Sequence, residues 1–141
     1  MRQLLLAMLA CASCGNNVRS GRVALGTNDS GTLSTAHIEE DYAKLVDELN
    51  KHATNILLAG LPPVEMSGEL AGRYFDQASA DRNNDAIRSL AAARNLPFVD
   101  LRNVMHGDRL TVDGIHLTAA AYRQWREAVR RNIHSALGCI E

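Results

Sequence analysis

Few cysteines, no excess of either charge and no long apolar run narrow what this 141-residue sequence encodes before any motif is considered. Its three cysteines, Cys11, Cys14 and Cys139, are odd in number and leave the "CASC" pair without the second pair that completes a zinc site. That pair also lacks the aromatic, glycine- and proline-bearing surroundings of a redox dithiol, so plain thiols are the preferred reading. His37, His52, His106 and His134 are scattered, and no two combine ligand spacing with a carboxylate on a common face. Neither a metal nor another cofactor is therefore expected. A formal net charge of -1 argues against a nucleic-acid surface. No stretch approaches the roughly 20 apolar residues a membrane span needs. Nor does "GTNDSG" open directly into a helix as a phosphate cradle does, which disfavours a nucleotide-binding flavodoxin-like domain.

What remains is a composition of 46% hydrophobic and 22% charged residues, ordinary for a globular protein. A chain of this size hides roughly 68–70% of its unfolded surface, so a single domain over residues 1–141 is the expectation. The opening "MRQLLLAMLACASCG" has one arginine and a short apolar core, too little for a good secretory signal. Leu5, Leu6 and Leu9 recur at helical spacing, and a helix is the preferred reading there. The compartment is left open.

Further on, strands and helices alternate. After the turn-rich "NNVRSG" comes "RVAL", a short strand. In "LSTAHIEEDYAKLVDELNKH", Ser34 or Thr35 is the expected N-cap, Glu39, Glu40 and Asp41 occupy early turns, and Ile38, Tyr42, Leu45, Val46 and Leu49 form one face. "NILLAGLPPV" reads as a central strand stopped by Pro62-Pro63. Residues 65–77 show no sustained period and read as a loop. "ADRNNDAIRSLAAARN" predicts a helix with Ile87, Leu90 and Ala91 inward, and "LPFVDL" a third strand. The last helix is expected in "LTAAAYRQWREAVRRNIHSAL", capped by Thr118, with Tyr122, Trp125, Val129 and Ile133 inward. This order predicts an α/β fold with three layers, helices on both faces of a parallel sheet, and a site at the carboxyl ends of the strands.

Two polar clusters fall at such ends. "VDGIHL" places Asp113 three residues before His116 with Gly114 between, so a tight turn can set the carboxylate beside the imidazole. A carboxylate there fixes the ring tautomer and leaves the other nitrogen as a general base. The competing reading makes Asp113 a turn residue and His116 a buried core histidine. In "GTNDSG", either Ser30 is a nucleophile or Asn28 is the working residue.

These clusters carry a resemblance. "RVALGTND" resembles the third conserved block of the SGNH, or GDSL-type, hydrolases, and "VDGIHLT" is similar to their fifth block. "NILLAGLPPV" and "RNNDAIRSLAAARNLPFVDLRNVM" are similar to the intervening strand, helix and strand, and the likeness covers residues 22–135. It implies a flavodoxin-like SGNH-hydrolase fold and cleavage of a small-molecule, carbohydrate or lipid ester by a serine. His116 would act as base and Asp113 as its orienting carboxylate. The Asn28 amide would donate to the oxyanion, and Gly26 would allow close approach of the backbone.

The family's first block, a Gly-Asp-Ser at the end of an earlier strand, has no counterpart before Arg22. Fewer residues precede that strand than two strands and a crossover need. The chain therefore reads as an N-terminally incomplete member, with residues 1–21 a helix remnant or weak signal-like segment. Its nucleophile is unidentified, Ser30 being the secondary candidate. The uncovered sheet edge is then a place for a partner strand or self-association, and a non-catalytic binding protein of the same fold is the alternative function.

Overall fold

A computed structural model describes residues 20–23, 27 and 35–137. The helix expected near the N-terminus, all three cysteines, and Gly26, Asn28 and Ser30 lie outside the described residues.

The element that organises the chain is β2 (Asn55–Ala59), the apolar "NILLA" run. It lies between β1 (Ser20–Val23) and β3 (Phe98–Val99) in a parallel sheet of order β1-β2-β3. Ser20 to Val23 pair in register with Asn55 to Leu58, and Leu58 and Ala59 with Phe98 and Val99. Alternate side chains of a strand point to opposite faces, and β2 is buried on both. Ile56 and Leu58 enter a core with Ile38, Tyr42, Val46 and Leu49 of α1 (Thr35–Leu49) and Ile87 and Ala91 of α3 (Gln77–Ala93). Leu57 and Ala59 enter a second core with Leu101 of α4 (Leu101–Val104) and Ala121, Ala128, Val129 and Ile133 of α5 (Ala119–Leu137). The result is the expected three-layer α/β arrangement on a parallel sheet.

Several local expectations are corrected. β1 starts two residues before "RVAL", so Ser20 and Gly21 belong to the strand and not to the preceding link. Residues 65–77 hold a short helix, α2 (Ala71–Tyr74). Helix α3 begins earlier than the apolar periodicity suggests because Asp76 caps it, accepting from the Ala78 and Ser79 N–H groups at 3.3 and 3.0 Å. Tyr122 is 55% exposed, and Ala121 takes the inward position at the start of α5. Thr118 does cap this helix, accepting from the Ala121 N–H at 3.2 Å.

Two asparagines of α3 are buried where the sequence suggested an ordinary helix face: Asn83 is 1% and Asn84 2% exposed. Buried amides cost free energy unless bonded, and both secure the ends of other elements. Asn83 Oδ1 accepts from the Thr35 hydroxyl at 3.0 Å, at the first residue of α1. Asn84 Oδ1 accepts from the Leu61 N–H at 2.6 Å, just past the end of β2. A side chain on Gly60 would run into that same oxygen.

Replacing Asn84 by Ala strands the Leu61 N–H and is expected to destabilise the protein by about 1–3 kcal/mol. Gly60→Ala attacks the same bond from the other side. The two changes together should therefore cost less than the sum of their separate effects in urea unfolding. Strict additivity would show that Asn84 does not secure the end of β2.

Candidate active site

The carboxyl ends of β2 and β3 lead into two stretches, residues 65–70 and 110–118, which bond to each other. The second doubles back on itself. Thr111 and Leu117 form an antiparallel bridge, the Val112 N–H donates to the His116 carbonyl at 2.7 Å, and the Thr118 N–H to the Leu110 carbonyl at 2.8 Å. Asp113, Gly114 and Ile115 lie at the tip of this excursion.

The tip is built around the Asp113 carboxylate. Its Oδ1 accepts from the Ile115 and His116 N–H groups at 3.0 and 2.9 Å, an aspartate turn closed by its own side chain. Its Oδ2 lies 2.6 Å from His116 Nδ1. A neutral ring so paired carries its proton on Nδ1 and keeps Nε2 as the basic nitrogen. The Asp113 side chain is 26% exposed and that of His116 68%, so the carboxylate is set back while the ring faces outward. His116 is therefore not the buried core histidine that was the competing reading.

Gly114 makes this turn feasible. Its φ is +99°, and a Cβ there would approach Ala71 Cβ to 2.5 Å and the Glu65 carbonyl oxygen to 2.6 Å. The opposing Gly68 packs its bare Cα on the Gly114 backbone. Across this contact the Glu65 N–H donates to the Gly114 carbonyl at 2.9 Å and the Leu70 N–H to the Asp113 carbonyl at 3.0 Å. The Glu65 carboxylate accepts from the Leu110 N–H at 2.9 Å, from the Thr111 N–H at 2.8 Å and from the Thr111 hydroxyl. That hydroxyl in turn accepts from the Gly114 N–H at 3.1 Å.

The structure thus brings Asp113 and His116 together, and among the described residues no serine hydroxyl bonds to His116. Sequence reading missed Glu65 and Thr111. Glu65 lies in an aperiodic segment far along the chain from its partners, and Thr111 is 3% exposed with nothing in its neighbours to signal burial. Among the described residues, no group of three His, Cys, Asp or Glu side chains is placed to hold a metal ion, and no helix is long and apolar enough to cross a membrane.

The N–H of His116, and next its ring, hold the Asp113 carboxyl at about 2, below its ordinary 3.8. Between those values the unfolded chain binds more protons than the native one, so stability rises with pH through this window. The contribution of Asp113 is complete above about pH 4 and fades as the pH falls through about 2. The Asp113 carboxyl carbon is expected to titrate near 2 in an NMR experiment. Asp113→Asn should narrow its stability deficit as acid is added across the same range.

The profile of the GDSL-like lipase/acylhydrolase family matches residues 23–124. The fold is similar to that of the lipase/acylhydrolase from Enterococcus faecalis, with a TM-score of 0.71 and 20% identity, covering 81% of this chain and 60% of that one. It is likewise similar to the M. smegmatis aryl esterase, with a TM-score of 0.71 and 23% identity over 83% of this chain and 60% of the other. A carbohydrate acetylesterase family member from Sinorhizobium meliloti gives a TM-score of 0.69 and 21% identity over 83% and 61%. The chain therefore spans about three-fifths of the length of these structures. Comparison with curated protein sequences finds no match. With the family profile spanning most of the chain on a parallel α/β fold, the protein belongs to the GDSL-like lipase/acylhydrolase family, the SGNH hydrolases.

Proposed function

We propose that this protein is an ester hydrolase working by a serine mechanism, as a single domain, with His116 as general base and Asp113 as its orienting carboxylate. The observation that carries this reading is the 2.6 Å contact between Asp113 Oδ2 and His116 Nδ1, with the ring turned outward. A serine hydroxyl attacks the ester carbonyl while His116 Nε2 takes its proton. The imidazolium then protonates the departing alcohol, and water repeats the sequence on the acyl-enzyme. The carboxylate stabilises the imidazolium without itself taking the proton. By its place in the family motif, the Asn28 amide donates to the oxyanion, with Gly26 leaving room for the substrate. One such donor contributes about 2.7–4 kcal/mol to barrier lowering.

The substrate is a small-molecule, carbohydrate or lipid ester. Exposed Met66 and Val112 lie on the two loops that meet at Gly114, and an acyl or alkyl group is the part of an ester that such side chains suit. No cofactor is required.

The nucleophile is the open part of this site. No serine among the described residues bonds to His116, and because "GTND" matches the family's Asn-bearing block, Ser30 is taken as a turn residue. The nucleophile then belongs on a further strand alongside β1, which ends the sheet among the described residues. The chain as given is then expected to show only trace hydrolysis of a p-nitrophenyl ester, unchanged by Ser30→Ala. A polypeptide supplying a strand with Gly-Asp-Ser should raise the rate, and His116→Ala should abolish the gain. Robust hydrolysis by the chain alone, lost in Ser30→Ala, would make Ser30 the nucleophile instead.

A further inference from the structure

We infer that Glu65 is a positioning residue for the Asp113–His116 pair. It acts through Thr111 and the Gly114 peptide, and its removal frees the His116 ring from its productive tautomer. The role rests on the proposed reading of His116 as general base, and it concerns a residue that touches neither partner of the pair.

Glu65 is acceptor-only when ionised, and among the described residues its carboxylate accepts three hydrogen bonds from Leu110 and Thr111: from two backbone N–H groups and the Thr111 hydroxyl. A hydroxyl has one proton. With that proton committed to Glu65, the Thr111 oxygen presents only lone pairs to its other neighbour, the Gly114 N–H at 3.1 Å. Glu65 thus sets the polarity of a relay that ends on the peptide between Asp113 and Gly114. The carbonyl of Gly114 is held at the same time by the Glu65 backbone N–H, at 2.9 Å. One residue therefore grips Gly114 at both of its polar groups, by its own backbone and through Thr111.

The alternatives for this side chain are weaker. Among the described residues, Glu65 contacts no lysine or arginine side chain closely enough to form an ion pair, Arg109 acting on it only through its charge. Its carboxyl is held below the ordinary range first by the Thr111 hydroxyl and next by the Leu110 N–H. It therefore stays ionised at neutral pH as a pure acceptor. Thr111, 3% exposed, has no water-facing route to satisfy its hydroxyl without Glu65. The peptide that this relay holds carries φ of +99° at Gly114, a conformation without which Asp113 could not return its carboxylate to the His116 N–H and Nδ1.

Gln replaces one acceptor oxygen of Glu65 by an NH2 group, which then opposes an N–H donor of Leu110 or Thr111. The test reads the imidazole directly. In long-range 15N–1H spectra recorded through the non-exchanging ring protons, the neutral wild-type His116 is expected as the Nδ1–H tautomer. In folded Glu65→Gln it should lose that tautomer for the Nε2–H form that free histidine favours, with His37, His52 and His106 unchanged. If Glu65→Gln does not fold, Thr111→Val serves. It keeps both backbone bonds to Glu65 and removes only the relay, and the same loss at His116 is expected. Retention of the Nδ1–H tautomer in whichever of these variants folds overturns the inference, since the aspartate turn would then hold the ring unaided. So does a wild-type ring without that tautomer. Where ester hydrolysis is measurable, Glu65→Gln should lower kcat on the order of 10- to 100-fold at unchanged KM. A protein that hydrolyses no ester even when a polypeptide with the Gly-Asp-Ser strand is supplied, yet whose His116 tautomer depends on Glu65, would end the esterase reading and leave the positioning role standing.

Discussion

The burial of β2 on both faces is the constraint from which the rest of the molecule follows. An apolar strand buried on both faces can be satisfied only by two layers of cover, one on each face of the sheet. Ile56 and Leu58 call for α1 and α3, and Leu57 and Ala59 for α5. The strand then stops at Gly60, beyond which Pro62 and Pro63 forbid further ladder bonds. Glu65 therefore leaves the end of the central strand within a few residues of a fixed point. The loop that clamps Gly114 is short and is anchored at Leu61 by Asn84.

The buried polar side chains follow one logic. Asn83, Asn84 and Thr111 are all nearly inaccessible, and each bonds a group at the end of an element or in a loop, not in the middle of a strand or helix. Unpaired, each would cost more than an apolar residue in its place. Paired, each fixes a connection that apolar packing, having no direction, leaves free to slide. Asn83 holds the first residue of α1 in this way, and Thr111 holds the turn that carries Asp113. The surface ion pairs do not share this role. Contacts such as Lys44 with Glu40 and Arg94 with Asp47 join exposed side chains, where solvent leaves little net gain.

How much was legible in the sequence depended on how local the signal was. The layer arrangement could be read because apolar periodicity is local, and Asp113 with His116 because an aspartate three residues before a histidine across a glycine describes a turn by itself. Tyr122 misled because its spacing matches the buried face while the smaller Ala121 fits the close approach of α5 to the sheet. Asn83 and Asn84 sit within "RNND", which reads as a solvated helix turn. What buries them is the arrival of Thr35 and Leu61 from other elements. Glu65 was illegible for the same reason: its partners are distant in sequence, and a carboxylate's acceptors carry no periodic mark.

The electrostatics of the site follows from its geometry more than from its depth. Burial opposes the ionised form of Asp113, yet its carboxyl is held near 2, because two N–H groups and an imidazole converge on it. Hydrogen bonds of this kind persist in a partly exposed site provided the backbone does not move, whereas a distant charge would be screened. A site tuned in this way can leave its base open to solvent and substrate, as the outward His116 is. It is correspondingly intolerant of any change in the turn. The stringent conditions therefore fall on residues without reactive groups of their own: Gly114, which admits the φ; Gly68, which admits the neighbouring backbone; and Thr111, whose one hydroxyl proton must point toward Glu65.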